Sequence, residues 1–138
     1  MPRQMLSPET VHKPTTYYSH GIVIDNVVYL AGQAPHDVSG AVWPSSDPTG
    51  QVRYVFENIS EVLKAAGATF NDIVRMTVLV RHPDLFPLVW QMAEDYLGDH
   101  KPAITGAVVE GLAGADYLLE IDTIAIKANG APDDQNQQ

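Results

Sequence analysis

Two carboxylates stand inside one apolar run near the end of the chain. Glu120 and Asp122 occur in the stretch 117–126, which otherwise consists mainly of leucine, isoleucine, alanine and threonine. A short run so rich in β-branched residues predicts a strand, and the two-residue period of a strand places both carboxylates on one face. Burying a carboxylate among apolar side chains is costly unless the group has a partner or a function. Each of these carboxylates therefore needs a partner or a purpose, although Asp122 is more simply explained as a solvated residue or one at the axis of an oligomer.

Other kinds of site have little support in the sequence. The histidines show no metal-ligand spacing; they are His12, His20, His36, His82 and His100. The chain has no cysteine, hence no thiolate nucleophile, and its serines lack a nucleophile-elbow motif. Its glycines are too sparse for a phosphate-binding loop. We therefore expect no metal and no cofactor.

Composition indicates one globular domain with an acidic surface. The chain has 138 residues, of which 45% are hydrophobic, and its net charge is −9. That charge argues against nucleic acid or an anionic membrane as a partner, because both need a basic face. The N-terminus lacks the apolar core of a signal peptide, and no apolar run approaches the length of a membrane span. These features predict a cytoplasmic protein.

The apolar pattern predicts the element order ββ(β)αβαββ, an α+β domain. A hairpin turns at Asp25-Asn26, and a loop over 35–48 precedes a helix that begins at Asp47-Pro48 and ends at Gly67. A strand over 72–81 and a helix over about 83–97 lead into the last two strands. In the strand over 72–81, the side chains expected to face the helices are Val74, Met76, Val78 and Val80.

The domain boundaries follow from the same pattern. Residues 1–16 read as an extended arm, residues 17–127 as a single domain, and residues 128–138 as a disordered tail. Two helices cover only one face of the predicted sheet. The other face carries charged and polar side chains among apolar ones, namely Arg75, Thr77, Glu120 and Asp122. A face of this kind is typical of contact with another subunit, so we expect a homo-oligomer.

Six short motifs occur in the order typical of one family. They are Tyr18-Ser19-His20-Gly21, the strand end and turn over 28–35, Glu57-Asn58-Ile59 with 63–68, the strand 72–78, His100-Lys101-Pro102-Ala103, and Leu119-Glu120-Ile121-Asp122 with 123–125. Together, over residues 17–127, they resemble the RidA/YjgF family of enamine and imine deaminases. The resemblance implies a chorismate-mutase-like fold, a mixed sheet backed by two helices. It also implies homotrimers whose clefts lie between subunits and bind small molecules.

The resemblance also implies site residues. Glu120 matches the family glutamate that positions water, Tyr18 matches the site tyrosine, and Gly32-Gln33 match the turn that offers backbone groups, with Thr105 beside the substrate. The family arginine that holds a substrate carboxylate is replaced by Ile104. Ile104 cannot form the planar bidentate pair of an arginine. At the position of a common asparagine stands Trp90, so the pocket should be more apolar than in typical members.

Several roles stay open at this stage. His20, which replaces a common glutamine, is either a proton shuttle or, more simply, a polar residue at the rim. Arg75 is either a replacement cation or the partner of Asp122 or Glu120. Trp90 either lines the pocket or packs at the edge of its helix, and Tyr18 either contacts a ligand or packs at a subunit seam.

We expect a hydrolase or deaminase acting on a small imine, enamine or related compound, with Glu120 orienting or activating water. The substrate should differ from the usual imino acids because Ile104 replaces the arginine. The alternative is a non-catalytic member that binds or senses a small molecule in the same clefts. Ribonuclease activity, sometimes claimed for relatives, fits poorly with the net charge of −9.

Overall fold

The computed structural model describes residues 2–128, which form a mixed six-stranded sheet and two long helices. The elements are β1 (Arg3–Leu6), β2 (Gly21–Ile24), β3 (Val27–Gln33), α1 (Pro48–Ala66), β4 (Ile73–Val80), α2 (Leu85–Leu97), β5 (Ala103–Val108) and β6 (Leu119–Ile126). The strand order is β1-β2-β3-β6-β4-β5. Only β4 and β5 run parallel, and every other neighbouring pair is antiparallel. Residues 129–138, most of the predicted tail, lie outside the described residues.

Helix α1 begins and ends where its capping residues predict. The Asp47 side chain accepts a hydrogen bond from the Gly50 backbone N–H at 3.1 Å, and Pro48 occupies the first turn. At the other end Gly67 adopts a left-handed conformation with φ of 78°. The stripe between them is almost fully buried; it includes Val52, Val55, Phe56, Ile59, Val62 and Leu63. This stripe packs α1 against β3 and β6, the strands that carry the candidate site.

Strand β6 alternates between the two faces of the sheet, as predicted. Leu119, Ile121 and Ala125 are buried on the face that the helices cover. Glu120 and Asp122 point to the opposite, open face, where Glu120 is partly buried and Asp122 is exposed. The α+β architecture with a sheet backed by two helices is therefore confirmed.

Two parts of the sheet differ from the sequence-based expectation. The predicted element order lacks β1: Arg3–Leu6 pair antiparallel with β2, and the segment that follows buries Val11 and His12. The prediction that Val74 faces the helices was also wrong. A register irregularity between Ile73 and Arg75 shifts the pleat, so Ile73 is buried while Val74 is 42% exposed.

Within residues 2–128, no helix has both the length and the apolar character needed to cross a lipid bilayer.

Candidate active site

The carboxylate of Glu120 lies directly against the backbone of Gly32. Strands β3 and β6 are neighbours, and their pairing is irregular between Leu30 and Gln33, so the chain bends at Gly32. A side chain at this position would overlap the Glu120 carboxylate, because a Cβ atom built on Gly32 meets Oε2, Cδ and Cγ of Glu120. The absence of a side chain at residue 32 is therefore what allows the carboxylate to occupy its place.

Burial raises the pKa of the Glu120 carboxyl, and the charge of nearby Asp122 raises it further, while His36 lowers it. A carboxylate whose pKa is raised toward neutral pH holds a proton more readily than an ordinary surface glutamate. This is the property that a general base needs if it is also to return its proton later in a reaction.

Glu120 lines a cleft of about 710 Å³ on the open side of the sheet. Two tyrosines, Tyr18 and Tyr117, line the same cleft, and the pKa of each hydroxyl is raised by burial and then by the charge of Glu120. Among residues 2–128, Lys13 is the one lysine or arginine that lines this cleft. The cleft is thus large enough for a small molecule and presents a carboxylate, two phenols and a cation.

Each tyrosine hydroxyl is hydrogen-bonded to its own histidine. The Tyr18 hydroxyl lies 3.0 Å from Nε2 of His12, and the Tyr117 hydroxyl lies 2.5 Å from Nε2 of His36. The two imidazole rings stack on each other with centroids 4.1 Å apart. Burial lowers the pKa of His12 to about 4, with further contributions from His36 and His20. His12 is therefore neutral at physiological pH.

His20 and Gln33 lie beneath the cleft and are both 1% exposed. Nε2 of His20 donates to the His12 carbonyl at 2.6 Å, and its Nδ1 accepts from the Gln33 side-chain amide at 3.2 Å. These two bonds fix the orientation of the imidazole ring. The expectation that His20 lies at the rim was wrong: it supports the segment that carries His12.

Helix α1 holds the loops on both sides of the cleft through two buried amides one heptad apart. Gln51 donates to the carbonyls of Trp43 and Asp116 and accepts from the N–H of Leu118, which fixes the backbone on each side of Tyr117. Asn58 donates to the carbonyls of Ala34 and His36 at 3.1 and 2.9 Å. Residues seven apart share one helix face, so a single face of α1 positions both His36 and Tyr117.

Two further predicted site residues form a second group at α2 and β5. Trp90 and Ile104, which are 42% and 37% exposed, line a separate pocket of about 260 Å³. Trp90 stacks on Phe86 with ring centroids 5.7 Å apart, which fits packing along the edge of its helix. The polar neighbours in this pocket are Glu94, His100 and Lys101.

The two groups lie on opposite faces of the sheet. Ile104 is in register with Met76, whose side chain is buried on the helix side. Glu120 alternates with the buried Leu119 and Ile121 and therefore points to the open side. One chain accordingly cannot bring Glu120 and Ile104 into the same pocket.

Arg75 and Thr105 lie together on the open face. The Arg75 guanidinium donates to the Thr105 hydroxyl at 2.6 Å, across the pair of β4 and β5. No Arg75–carboxylate pair within 4.0 Å is present among residues 2–128, so the structure does not place Arg75 with Asp122 or Glu120.

The structure therefore brings together Tyr18, Gly32 and Glu120 from the sequence prediction, with Gln33 beneath them. Sequence reasoning missed His12, His36 and Tyr117. They come from an apparently irregular arm, a loop and the start of a predicted strand, and no spacing links them. No pattern in the sequence pointed to them, since His12 lies six residues before the motif at Tyr18 and His36 three residues after Gln33. No group of three or more metal-binding side chains occurs within the described range.

Comparisons with known proteins match nearly the whole chain. A family model described as Endoribonuclease L-PSP matches residues 9–127. A RutC family protein of Pyrococcus abyssi is 33% identical over 127 residues, which is 92% of this chain and 99% of that protein. The 3-aminoacrylate deaminase RutC of Acinetobacter baylyi is 30% identical over 91% of this chain and 98% of its own.

Structural similarity agrees with these matches. The crystal structure of the YjgF gene product of E. coli superimposes with a TM-score of 0.83 at 27% identity, covering 91% of this chain and 99% of that one. The predicted chorismate-mutase-like α+β fold is thereby confirmed.

Proposed function

The chain belongs to the RidA/YjgF family, and from that premise we propose that it hydrolyses the C=N bond of a small imine, or of an enamine in its imine form, in the cleft around Glu120. Water adds to the carbon of the C=N bond, and ammonia leaves. Glu120 accepts the proton of the attacking water, so it acts as the general base.

The observation that carries this proposal is the setting of Glu120. Its carboxylate lies over Gly32, at a place where no side chain intervenes, and burial together with Asp122 raises its pKa. A surface carboxylate placed only for solubility needs neither burial nor a glycine beneath it. The geometry suits a group that holds one water molecule against a flat electrophile.

The relatives support the class of reaction. The Acinetobacter relative is named as a deaminase of 3-aminoacrylate, which is an enamine. Loss of ammonia from an enamine proceeds through the imine, so one arrangement of a base and a cleft serves both forms. The identity of 30% supports the same class of reaction for this chain. The substrate itself has to be inferred from the residues that line this chain's own pocket.

We further propose that the cleft is completed by a second copy of the chain in a homotrimer. Within one chain, Glu120 and Ile104 lie on opposite faces of the sheet. A neighbouring subunit that packs on the open face offers its own Trp90 and Ile104 to the Glu120 cleft. The open face carries exposed apolar side chains suited to such a contact, among them Tyr29 at 46% and Ile126 at 48% exposure.

The second group of residues indicates the substrate's character. Ile104 presents a branched aliphatic side chain and Trp90 an indole, and neither can pair with a carboxylate. Losing such a pair costs about 2–5 kcal/mol when the site is desolvated. We therefore infer a substrate with an apolar or aromatic group at this position.

The alternative is a protein that binds a metabolite in this cleft without converting it. Binding by an apolar pocket does not require the pKa of Glu120 to be raised, whereas proton transfer benefits from it. The net charge of −9 disfavours RNA as the substrate, in spite of the description that the family model carries.

The proposal is tested by ammonia release from a freshly generated imine. A flavin-dependent amine oxidase acting on 2-phenylethylamine supplies an imine that carries a phenyl group and lacks a carboxylate. We expect the wild type to accelerate ammonia release, Glu120→Gln to lower kcat about 10²-fold or more, and Glu9→Gln, at an exposed glutamate outside the cleft, to leave kcat unchanged. Equal rates for wild type and Glu120→Gln, with phenylethyl compounds still bound, would favour the binding protein.

A further inference from the structure

We propose that Tyr117 is a second catalytic residue of this cleft. Its hydroxyl gives a proton to the substrate nitrogen and later takes a proton from the substrate oxygen. His36 positions Tyr117 and exchanges protons with it. The inference rests on the proposed function, because it assigns a partner to the base Glu120. It concerns a pair of residues that lies 81 positions apart in sequence.

The geometry defines what His36 can do. Its Nδ1 lies 2.9 Å from the Gly40 carbonyl, so Nδ1 carries a hydrogen and donates it. Nε2, the other ring nitrogen, lies 2.5 Å from the Tyr117 hydroxyl. When His36 is neutral, Nε2 accepts from Tyr117; when His36 is protonated, Nε2 donates, and the Tyr117 hydrogen is free to point into the cleft.

Tyr117 lies within electrostatic reach of the base. It lines the same cleft as Glu120, and the charge of Glu120 contributes to the raised pKa of its hydroxyl, after burial. His36 in turn lowers the pKa of Glu120. A proton on His36 and a negative charge on Glu120 thus favour each other, which is the starting state that the reaction requires.

The parallel pair of Tyr18 and His12 cannot take this role. Burial lowers the pKa of His12 to about 4, so His12 holds no second proton at neutral pH. Because His12 is neutral, the stack of His12 on His36 carries no more than one charge. The other ionisable groups that line this cleft are Lys13, Tyr18, Tyr117 and Glu120.

In the first step, water attacks the carbon of the C=N bond. The new C–O bond forms as Glu120 takes a proton from the water, and the π electrons of C=N move to nitrogen. The nitrogen takes the hydroxyl proton of Tyr117, and Tyr117 takes the Nε2 proton of His36. The products are a neutral carbinolamine, protonated Glu120, intact Tyr117 and neutral His36, so no phenolate accumulates.

In the second step, the carbinolamine collapses. Protonated Glu120 gives its proton to the nitrogen, and the electron pair of the C–N bond leaves with ammonia. The carbinolamine hydroxyl passes its proton to the Tyr117 oxygen, and the Tyr117 hydroxyl passes its original proton to Nε2 of His36. The electron pair of the broken O–H bond forms the second bond of C=O. Ionised Glu120 and protonated His36 are restored, and the net change is imine plus water to carbonyl compound plus ammonia.

The experiment compares kcat for the imine of 2-phenylethylamine among four variants. We expect Tyr117→Phe and His36→Gln each to lower kcat about 10²-fold, the range for loss of one acid–base group. Tyr54→Phe is the matched control: it removes a hydroxyl outside the cleft and should leave kcat unchanged. Glu120→Gln is the fourth variant and reports on the base alone.

A split between kcat and KM separates proton transfer from a merely structural bond. The amide of His36→Gln can still bond Tyr117, so a merely structural role would leave kcat near that of the wild type, whereas loss of proton transfer should lower kcat with KM little changed. If Tyr117→Phe does not fold, His36→Gln carries the test alone. A kcat within about threefold of wild type for the variants that fold would overturn the proposal.

Failure of this inference is distinguishable from failure of the proposed function. Loss of activity in Glu120→Gln with full activity in Tyr117→Phe and His36→Gln would refute the role of Tyr117 and keep the hydrolase. A wild type that does not accelerate ammonia release from the imine would refute both.

Discussion

At the scale of single residues, the site depends on a glycine as much as on a carboxylate. Gly32 leaves the space that the Glu120 carboxylate occupies, so the two residues act as one structural unit. The sequence pointed to Glu120 first as a carboxylate inside an apolar strand, and to Gly32 only through the family resemblance. Their direct contact arises from the irregular pairing of β3 with β6, which no local pattern encodes.

Gly32→Ala should displace the Glu120 carboxylate, because the added methyl group overlaps it. A displacement of about 1 Å is expected to lower kcat about 10²-fold while the fold is kept, since the glutamate side chain can rotate away. Gly111→Ala is the control, because a Cβ there meets open space. Steady-state kinetics measures the loss of kcat, and a thermal melt shows whether the variant is still folded. A normal kcat in Gly32→Ala would show that the position of the carboxylate is unimportant.

Asp122→Asn should extend activity toward acid pH. Burial and then Asp122 raise the pKa of Glu120, and the base works only when it is ionised. Removing the neighbouring charge lowers that pKa, so the acid limb of kcat/KM should move to lower pH. Asp99→Asn, an exposed change at the end of α2, should leave the profile in place. A shift in the opposite direction would mean that Asp122 helps Glu120 to ionise.

The raised pKa of Glu120 also has a consequence for stability. An acid whose pKa is higher in the folded than in the unfolded protein binds its proton more tightly when folded. Stability from this group is therefore present at low pH and is lost as pH rises through the unfolded and folded pKa values. We expect Glu120→Gln to melt at a higher temperature than wild type at pH 7, although it is less active. A lower melting temperature would indicate that the ionised carboxylate is a structural partner.

At the scale of elements, helix α1 positions the site without entering it. Gln51 and Asn58 occupy one face two turns apart and bond the backbone beside Tyr117 and at His36. The helix itself, with its caps and its buried stripe, could be predicted from residue spacing. The hydrogen bonds of these two amides could not be predicted, because the carbonyls that they bind belong to loops far away in sequence.

Gln51→Leu should affect both stability and activity. The Gln51 side chain is fully buried, and its loss leaves the Leu118 N–H and the Asp116 carbonyl without this partner. Each unsatisfied buried group costs about 1–3 kcal/mol. We expect the free energy of unfolding in urea to fall by about that amount or more, and kcat to fall because Tyr117 is no longer held. Gln91→Leu, at an exposed position of α2, is the control.

The differences between prediction and structure in the sheet have the same origin. β1 is only four residues long, and its pairing partners in β2 lie 15 to 21 positions away, so its sequence carries a weak strand pattern. The irregularity at Ile73–Arg75 inverts the alternation that placed Val74 on the helix side. The two-residue period correctly predicts which face each side chain occupies in β6, where the alternation is unbroken. It fails in β4, where one extra residue interrupts the alternation.

At the scale of the whole molecule, the proposed site requires more than one chain. The groups that hold Glu120 and Ile104 lie on opposite sides of the sheet, and only a neighbouring copy can join them. Light scattering should give three times the chain mass of 15.1 kDa. A monomer in solution would remove the proposed cleft between subunits.

Mixed oligomers test the sharing of the site directly. Glu120→Gln and Ile104→Asp should each be inactive alone, because one lacks the base and the other places a charge against the substrate. When the two are co-expressed and assemble at random, about a quarter of the clefts combine an intact Glu120 with an intact Ile104. Activity near a quarter of wild type is expected. Activity no higher than that of the parent variants would place both residues in one subunit's site or neither.

The central claim is that the Glu120 cleft hydrolyses imines and that Ile104 sets their character. The most direct measurement is ammonia release from two imines that differ only in a carboxylate, generated from 2-phenylethylamine and from phenylalanine by the matching oxidases. The wild type should prefer the imine without the carboxylate. Ile104→Arg should reverse that preference by a factor of at least about 30, the equivalent of 2 kcal/mol. If neither protein accelerates ammonia release from either imine, the proposed hydrolase activity is contradicted. If both proteins show the same preference, the proposed role of Ile104 is contradicted.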